Sequence, residues 1–323
     1  MTESRKSTGA TEPTGTRGIV VEGTGGVWRV RTAGGEERDA SLAGRLKQEM
    51  KGHLKLAVGD HVIVEPDERD SGWRISTIEP RTSVLARREP GGRYGERVLA
   101  ANIDQVLVVF SVAKPEPHVR MIDRFMVICE ANDLRTHLVL NKIDLPVDPS
   151  FVEELAKPYL AAGYPVHRTS VKRGDGLEEM RSVLHGRVTA FTGPSGVGKS
   201  SLLNALYPEL NLRTQEVSQS VNKGRHTTVG SKLIPLPDGD GGYLVDTPGL
   251  REVGMWNLPS TSLDQCFPEF KPYLGECRFQ DCMHDVEPGC AVRAALALGA
   301  IDRVRYESYL KLRGELTDAE RNQ

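Results

Sequence analysis

Three short motifs in this sequence carry residue types that can hold a nucleotide, and they occur in a rotated order. Asn141-Lys142-Ile143-Asp144 comes first, Gly193-Pro194-Ser195-Gly196-Val197-Gly198-Lys199-Ser200 second, and Asp246-Thr247-Pro248-Gly249 third. The middle run fits G-x-x-x-x-G-K-S, whose glycines let the backbone curl until its N–H groups point at phosphates. Ser200 and Ser201 would open a helix there and add its positive end to the cradle. Lys199 would reach the β- and γ-phosphates, and the Ser200 hydroxyl would enter a magnesium shell. A glycine-rich turn that merely joins strand to helix is the bland alternative.

The first motif can choose a base. The Asp144 carboxylate can accept from the N1–H and N2–H₂ of guanine, a donor pair that adenine lacks. Asn141 can bond the O6/N7 side, and the Lys142 stem can lie over the ring, with Ile143 between them and Asp144. Alone, N-K-x-D is a weak signal that a solvated strand-end turn also satisfies. Thr169-Ser170-Val171 agrees with the sharper reading, because Ser170 and Val171 could set backbone N–H groups near the guanine O6. Asp246 closes an apolar run and could bind magnesium through water, and the Gly249 N–H would sense the γ-phosphate. Leu250 follows, where many GTPases place a glutamine that orients the attacking water, and leucine cannot make that bond. In Gly224-Arg225-His226-Thr227-Thr228, His226 offers a ring nitrogen for that water, and Thr227 or Thr228 a hydroxyl for magnesium. An idle loop histidine is the competing reading of His226.

These motifs need strands that end at one edge. The apolar runs at 137–140, 188–191 and 243–245 read as buried strands, and Ser201 to Leu206 as the first turns of a helix, so the centre is α/β. Toward the carboxyl end stands Cys277-x₄-Cys282-x-His284-x₅-Cys290. Three thiolates and one imidazole fill a closed tetrahedral zinc shell, and Gly289 allows a tight turn. Disulfides are the alternative, disfavoured beside a cytosolic type of nucleotide site. Cys266 lies outside the set and reads as a buried thiol, with a substitute ligand role open. From Gly18 to about Val84, short β-rich runs punctuated by Gly and Asp predict a small all-β barrel. Trp28, Arg29, Arg31, Trp73 and Arg74 could form a basic, aromatic face for RNA, or the tryptophans could fill the core while the arginines face water.

The ordered set N-K-I-D, S-V, G-P-S-G-V-G-K-S-S, G-R-H-T-T and D-T-P-G resembles the RsgA family of circularly permuted GTPases. That resemblance implies GTP hydrolysis stimulated by the 30S ribosomal subunit, contact with 16S rRNA, and action late in small-subunit maturation. It implies an OB-fold before the GTPase domain and a zinc domain after it, with Cys277, Cys282, His284 and Cys290 as the ligands. The expected division is a disordered tail over 1–16, an OB-fold over 17–85 and a linker over 86–98. A permuted GTPase domain over 99–256 and a zinc-binding helical domain over 257–323 follow. The alternative function is an RNA-binding scaffold that holds GTP with negligible turnover, which Leu250 keeps open. In this arrangement the segment after Asp246 leads into the zinc domain, so GTP or GDP would set that domain's angle.

Composition sets the outer limits. A chain of 323 residues with a net charge of −2 has room for two or three domains and no overall basic field, so rRNA contact must rest on local patches. No apolar run approaches a membrane span and no signal-peptide core is visible, so a cytoplasmic monomer is expected.

Overall fold

The amino-terminal β-rich runs pair because apolar residues alternate along them and tight turns reverse them. A computed structural model describes residues 15–49, 55–67, 72–88, 96–212, 231–239, 241–246 and 258–321. Strands β1 (Thr16–Thr24), β2 (Val27–Thr32), β3 (Glu37–Leu42), β4 (His61–Pro66) and β5 (Trp73–Ile78) form the barrel, with a short helix α1 (Gly44–Glu49) between β3 and β4. They close in the order β1-β2-β3-β5-β4, β4 returning to β1, which is the OB-fold arrangement expected. Gly25 and Gly26, both at positive φ, make the two-residue turn between β1 and β2. Val20, Val30, Ala40, Val62, Val64 and Ile75 fill the interior.

The tryptophans and arginines of the barrel divide differently from either expectation. Trp28 and Trp73 are half-buried, packed against the rim of the core, and the Arg38 guanidinium stacks 3.7 Å from the Trp73 ring centroid. Arg29, Arg31 and Arg74 each face a carboxylate, of Asp39 at 3.1 Å, Glu37 at 3.4 Å and Glu65 at 3.3 Å. These acids offset the positive charge that the sequence places on the strands.

Next comes a two-stranded antiparallel ribbon, β6 (Val84–Arg88) with β7 (Glu96–Ala101), in the stretch whose composition reads as a linker over 86–98. Leu85 and Ala100 are buried in the ribbon's inner face, and that burial holds the strands together. Gly59, at the barrel's edge, comes so close to this ribbon that a Cβ would sit 2.0 Å from the Ala101 carbonyl oxygen.

The central sheet is built from β8 (Gln105–Ser111), β9 (Thr136–Asn141), β10 (Val166–Thr169), β11 (Val188–Thr192), β12 (Lys232–Pro235) and β13 (Tyr243–Asp246). Helices α2 (Val119–Glu130), α3 (Pro149–Ala161), α4 (Leu177–Leu184) and α5 (Lys199–Leu206) connect or follow its strands. The order is β10-β9-β8-β11-β13-β12, parallel except for β12. β8 and β9 are buried at every position, as strands covered on both faces must be. The sheet runs outward from β8 to the edge strand β10. The chain then returns through α4 to lay β11 on the other side of β8, and this crossing makes the rotated motif order spatially continuous.

At the carboxyl end, a 3-10 turn at Ser260–Cys266 precedes α6 (Ala291–Ala297) and α7 (Arg303–Arg321). Their apolar residues share one core with Val127 and Ile128 of α2. Within it Arg305 is fully buried, with Nη1 at 2.5 Å from Asp123 of α2 and Nε at 2.6 Å from Glu269. The Tyr159 hydroxyl of α3 donates to the same Asp123 oxygen at 2.9 Å. Arg124 of α2 also pairs with Glu315 of α7. The carboxyl-terminal unit is therefore joined to α2 by a buried and a surface ion pair. Among the described residues no helix is long and apolar enough to cross a membrane. Removing one partner leaves buried charges uncompensated, so Arg305→Ala should lower unfolding free energy by about 3–5 kcal/mol in urea titration. A loss under 1 kcal/mol would show that this junction is slack.

Candidate functional site

Strands β8, β9, β10, β11 and β13 all end at the same edge of the sheet, where ligands of open α/β folds collect. The loop after β11 closes on α5 through Gly193, Gly196 and Gly198, at φ 130°, 79° and 98°. At Gly193 a Cβ would sit 2.1 Å from the Val109 carbonyl oxygen of β8, and at Gly198 2.5 Å from Asn141 Nδ2. Both glycines are thus demanded by neighbouring groups as well as by the turn. Pro194 and Ser195 form the crest of the loop and Val197 its buried anchor. Gly198 is the N-cap of α5, so the positive end of that helix, with Ser200 and Ser201 in its first turn, opens directly from the loop. Lys199 lies over the loop and donates to the Gly193 and Pro194 carbonyls at 2.8 and 2.6 Å.

The Asn141 carboxamide joins this loop to the base-reading loop. Its Nδ2 donates to the Val197 carbonyl at 2.9 Å, and its Oδ1 accepts from the Thr169 hydroxyl at 3.0 Å. Asn141 is buried, so in this structure its amide serves first as a tie between three loops; the sequence assigned it to the O6/N7 side of the base. Lys142, at φ 64°, donates to the Gly196 carbonyl at 2.6 Å and to that of Lys114. Partial burial lowers its pKa. Ile143 packs into the core and fixes the loop from below.

Asp144 stands half-exposed at the rim, with Oδ1 accepting from the Ser170 hydroxyl at 2.7 Å. That hydrogen bond is the main cause that holds its carboxyl below the usual range, helped by Lys172 and Arg173. Ser170 Oγ in turn accepts from the Arg173 N–H at 3.1 Å, so the carboxylate is ionised and aimed. Sequence reading gave Ser170 and Val171 a backbone role only. The Ser170 side chain, the Thr169 hydroxyl and the Lys114 carbonyl were missed, and no local motif marks them.

Asp246 ends β13 opposite Lys232 of β12. Its side chain reaches solvent, while the surrounding protein raises its pKa and Lys232 moderates the rise. His226, Thr227, Thr228, Gly249 and Leu250 lie outside the described residues.

A second site gathers Cys277, Cys282, His284 and Cys290, whose ligand atoms all lie within 4.8 Å of one another. Cys277 Sγ is 3.9 Å from Cys290 Sγ, and His284 Nδ1 is 3.6 and 3.4 Å from these two sulfurs. Metal–sulfur bonds of about 2.3 Å at tetrahedral angles put sulfurs about 3.8 Å apart, and sulfur and nitrogen about 3.6 Å apart. The donor set fits one tetrahedral metal ion, and its thiols are free, not disulfide-bonded. The N–H of Ala291 donates to Cys277 Sγ and that of Arg293 to Cys290 Sγ, which favours thiolates. Cys266 is buried outside this set, and burial pushes its thiol up to about 12.

The profile of the RsgA GTPase family matches residues 78–256. A small ribosomal subunit biogenesis GTPase RsgA from Gemmatimonas aurantiaca is 59% identical over 94% of this chain and 98% of its own. A protein of the same name from Shewanella oneidensis is 42% identical over 81% of this chain and 75% of its own. Among solved structures, YjeQ from Thermotoga maritima superposes with a TM-score of 0.76 at 35% identity, covering 94% of this chain and 98% of that one. YloQ, described as a circularly permuted GTPase, gives 0.75 at 27% identity, with 97% and 98% covered.

Asp144→Asn replaces an acceptor pair by a donor and an acceptor. It should weaken guanine-nucleotide binding by about 2–4 kcal/mol and shift preference to xanthine nucleotides. Calorimetric titration that finds GTP affinity unchanged would remove the base assignment.

Proposed function

This chain belongs to the RsgA GTPase family, and on that premise we propose that it hydrolyses GTP to GDP and phosphate as a late assembly factor of the small ribosomal subunit. The observation that carries the reading is the Asn141 tie, which holds the ionised Asp144 and the phosphate loop as one site. Guanine sits against Asp144, Ser170 and Val171, and the phosphates lie within residues 193–201. Lys199 neutralises the β- and γ-oxygens. Ser200, Asp246, Thr227 and Thr228 are the residues that would hold magnesium, which when bound offsets charge on the transferring phosphoryl group. Gly249 reports the γ-phosphate through its N–H.

Leu250 offers no hydrogen bond to the attacking water, so His226 takes that part when the small subunit is bound. Its role is to position the water. A loose phosphoryl transition state asks little of a base. The ion at Cys277, Cys282, His284 and Cys290 is a structural zinc, since four protein ligands leave no open position. The accompanying division is a tail over 1–16, an OB-fold over 17–85, a linker over 86–98, the GTPase domain over 99–256 and the zinc-binding domain over 257–323. The protein works in the cytoplasm as a monomer against 16S rRNA. Because Arg29, Arg31 and Arg74 are paired with acids, the barrel recognises RNA by shape more than by charge.

Turnover with and without purified 30S subunits tests the proposal: large stimulation is expected, and none would favour a scaffold that holds GTP without using it. His226→Ala should keep GTP affinity and lose about 10²-fold of the stimulated rate, about 3 kcal/mol of barrier, whereas Lys199→Ala should lose binding as well. Full stimulated turnover in His226→Ala would make the histidine a bystander. Metal analysis should give about one zinc per chain, and Cys282→Ser should release it while sparing nucleotide binding. A folded, metal-free parent protein would contradict that assignment.

A further inference from the structure

The metal loop touches the Ser260–Cys266 turn through Asp264, a side chain outside the ligand cluster. His284 presents its two ring nitrogens to different partners: Nδ1 faces the sulfurs of Cys277 and Cys290, and Nε2 lies 3.3 Å from Asp264 Oδ2. Both side chains are largely shielded from water, 4% exposed for His284 and 17% for Asp264. Asp264 belongs to the Ser260–Cys266 turn, the first described structure after Asp246.

The imidazole has little freedom to turn. His284 adopts φ 59°, a left-handed conformation that a non-glycine residue holds only when its surroundings over-determine it. The Tyr306 hydroxyl donates to the His284 carbonyl at 2.6 Å, and the Tyr309 hydroxyl and Arg313 donate to that of Met283. Phe270 and Tyr309 set their rings against the imidazole, each with centroids 6.3 Å away. Cys282 and His284 are separated by a single residue, so the histidine Cβ lies close to the metal position and the near nitrogen, Nδ1, is the one that reaches it.

We propose that Asp264 is an outer-sphere positioning residue of the metal centre: it accepts the Nε2–H of His284 and fixes that ring as an Nδ1 ligand. It thereby fastens the 260–266 turn to the metal. A carboxylate in this place raises the basicity of the ligating nitrogen and selects its tautomer. The turn is held at its other end by Glu320 of α7, which accepts from Ser260 N–H and Oγ, both at 2.7 Å. The chain leaving the nucleotide site after Asp246 therefore lands on a turn pinned by the metal and by the last helix. The inference rests on the zinc reading of the cluster and is independent of the nucleotide reading.

Zinc content of the parent protein is measured first, since metal-free parent protein would overturn the zinc reading and the inference with it. On ¹⁵N-labelled zinc-loaded protein, long-range ¹H–¹⁵N correlation should then show His284 with a metal-bound Nδ1 and a protonated Nε2. Coordination through Nε2 overturns the proposal without any variant. Competition with a chromophoric chelator should show Asp264→Ala losing zinc affinity by about 10- to 100-fold, with Asp264→Asn between it and the parent. GDP affinity should stay at the parent value in both variants. Parent-like zinc affinity in Asp264→Ala would show that the carboxylate serves only its own turn, where Oδ1 accepts from Gln265 N–H.

Discussion

The nucleotide site depends on a buried carboxamide. Asn141 holds the Val197 carbonyl of the phosphate loop, 56 residues away in the chain, and the Thr169 hydroxyl at the end of β10, which the β9–β10 pairing already sets beside it. Each bond made in such a dry place contributes about 1 kcal/mol, and leaving either partner unpaired costs about 1–3 kcal/mol. Gly198 follows from the same contact, since no Cβ fits beside the amide, and Lys142 repeats the tie one residue later at Gly196. Asp144 and the phosphate cradle therefore keep a fixed separation, which a rigid guanine nucleotide requires.

The rotated order of the chain leaves that geometry intact and changes what is attached to it. The barrel adjoins the β12 edge, where Glu22 pairs with Lys232 at 3.3 Å and Lys232 stands opposite Asp246. The carboxyl-terminal unit sits on α2, on the other side of the rearranged connection, held by Arg305 and Asp123. A swing of that unit would have to open a buried ion pair, and the Arg305 guanidinium over the Tyr159 ring of α3 resists it further.

What was legible in the sequence was chemistry written locally. The phosphate loop, the base-reading tetrapeptide and the cysteine–histidine cluster are each short in sequence, and their agreement, more than any one spacing, pointed to what they can hold. The OB-type barrel was legible from alternation and turn residues. The ribbon at β6 and β7 was not, because its glycine- and arginine-rich centre hides two short apolar ends that pair only against the core. The acid partners of Arg29 and Arg74 were also invisible, since they depend on barrel register. Arg305 and Asp123 lie 182 residues apart, and nothing near either one announces the other. The roles of Asn141 and Ser170 fall between these cases: the residues were named, but their partners come from other loops.

The most direct measurement is GDP affinity in Asn141→Ala, read by calorimetry beside the thermal stability of the same variant. If the carboxamide unites the two loops, GDP binding should weaken by at least about tenfold while the protein still melts cooperatively, because both the base and the phosphate contacts lose their common anchor. Parent-like GDP affinity in a folded Asn141→Ala would contradict the account, since the loops would then be held in place without it.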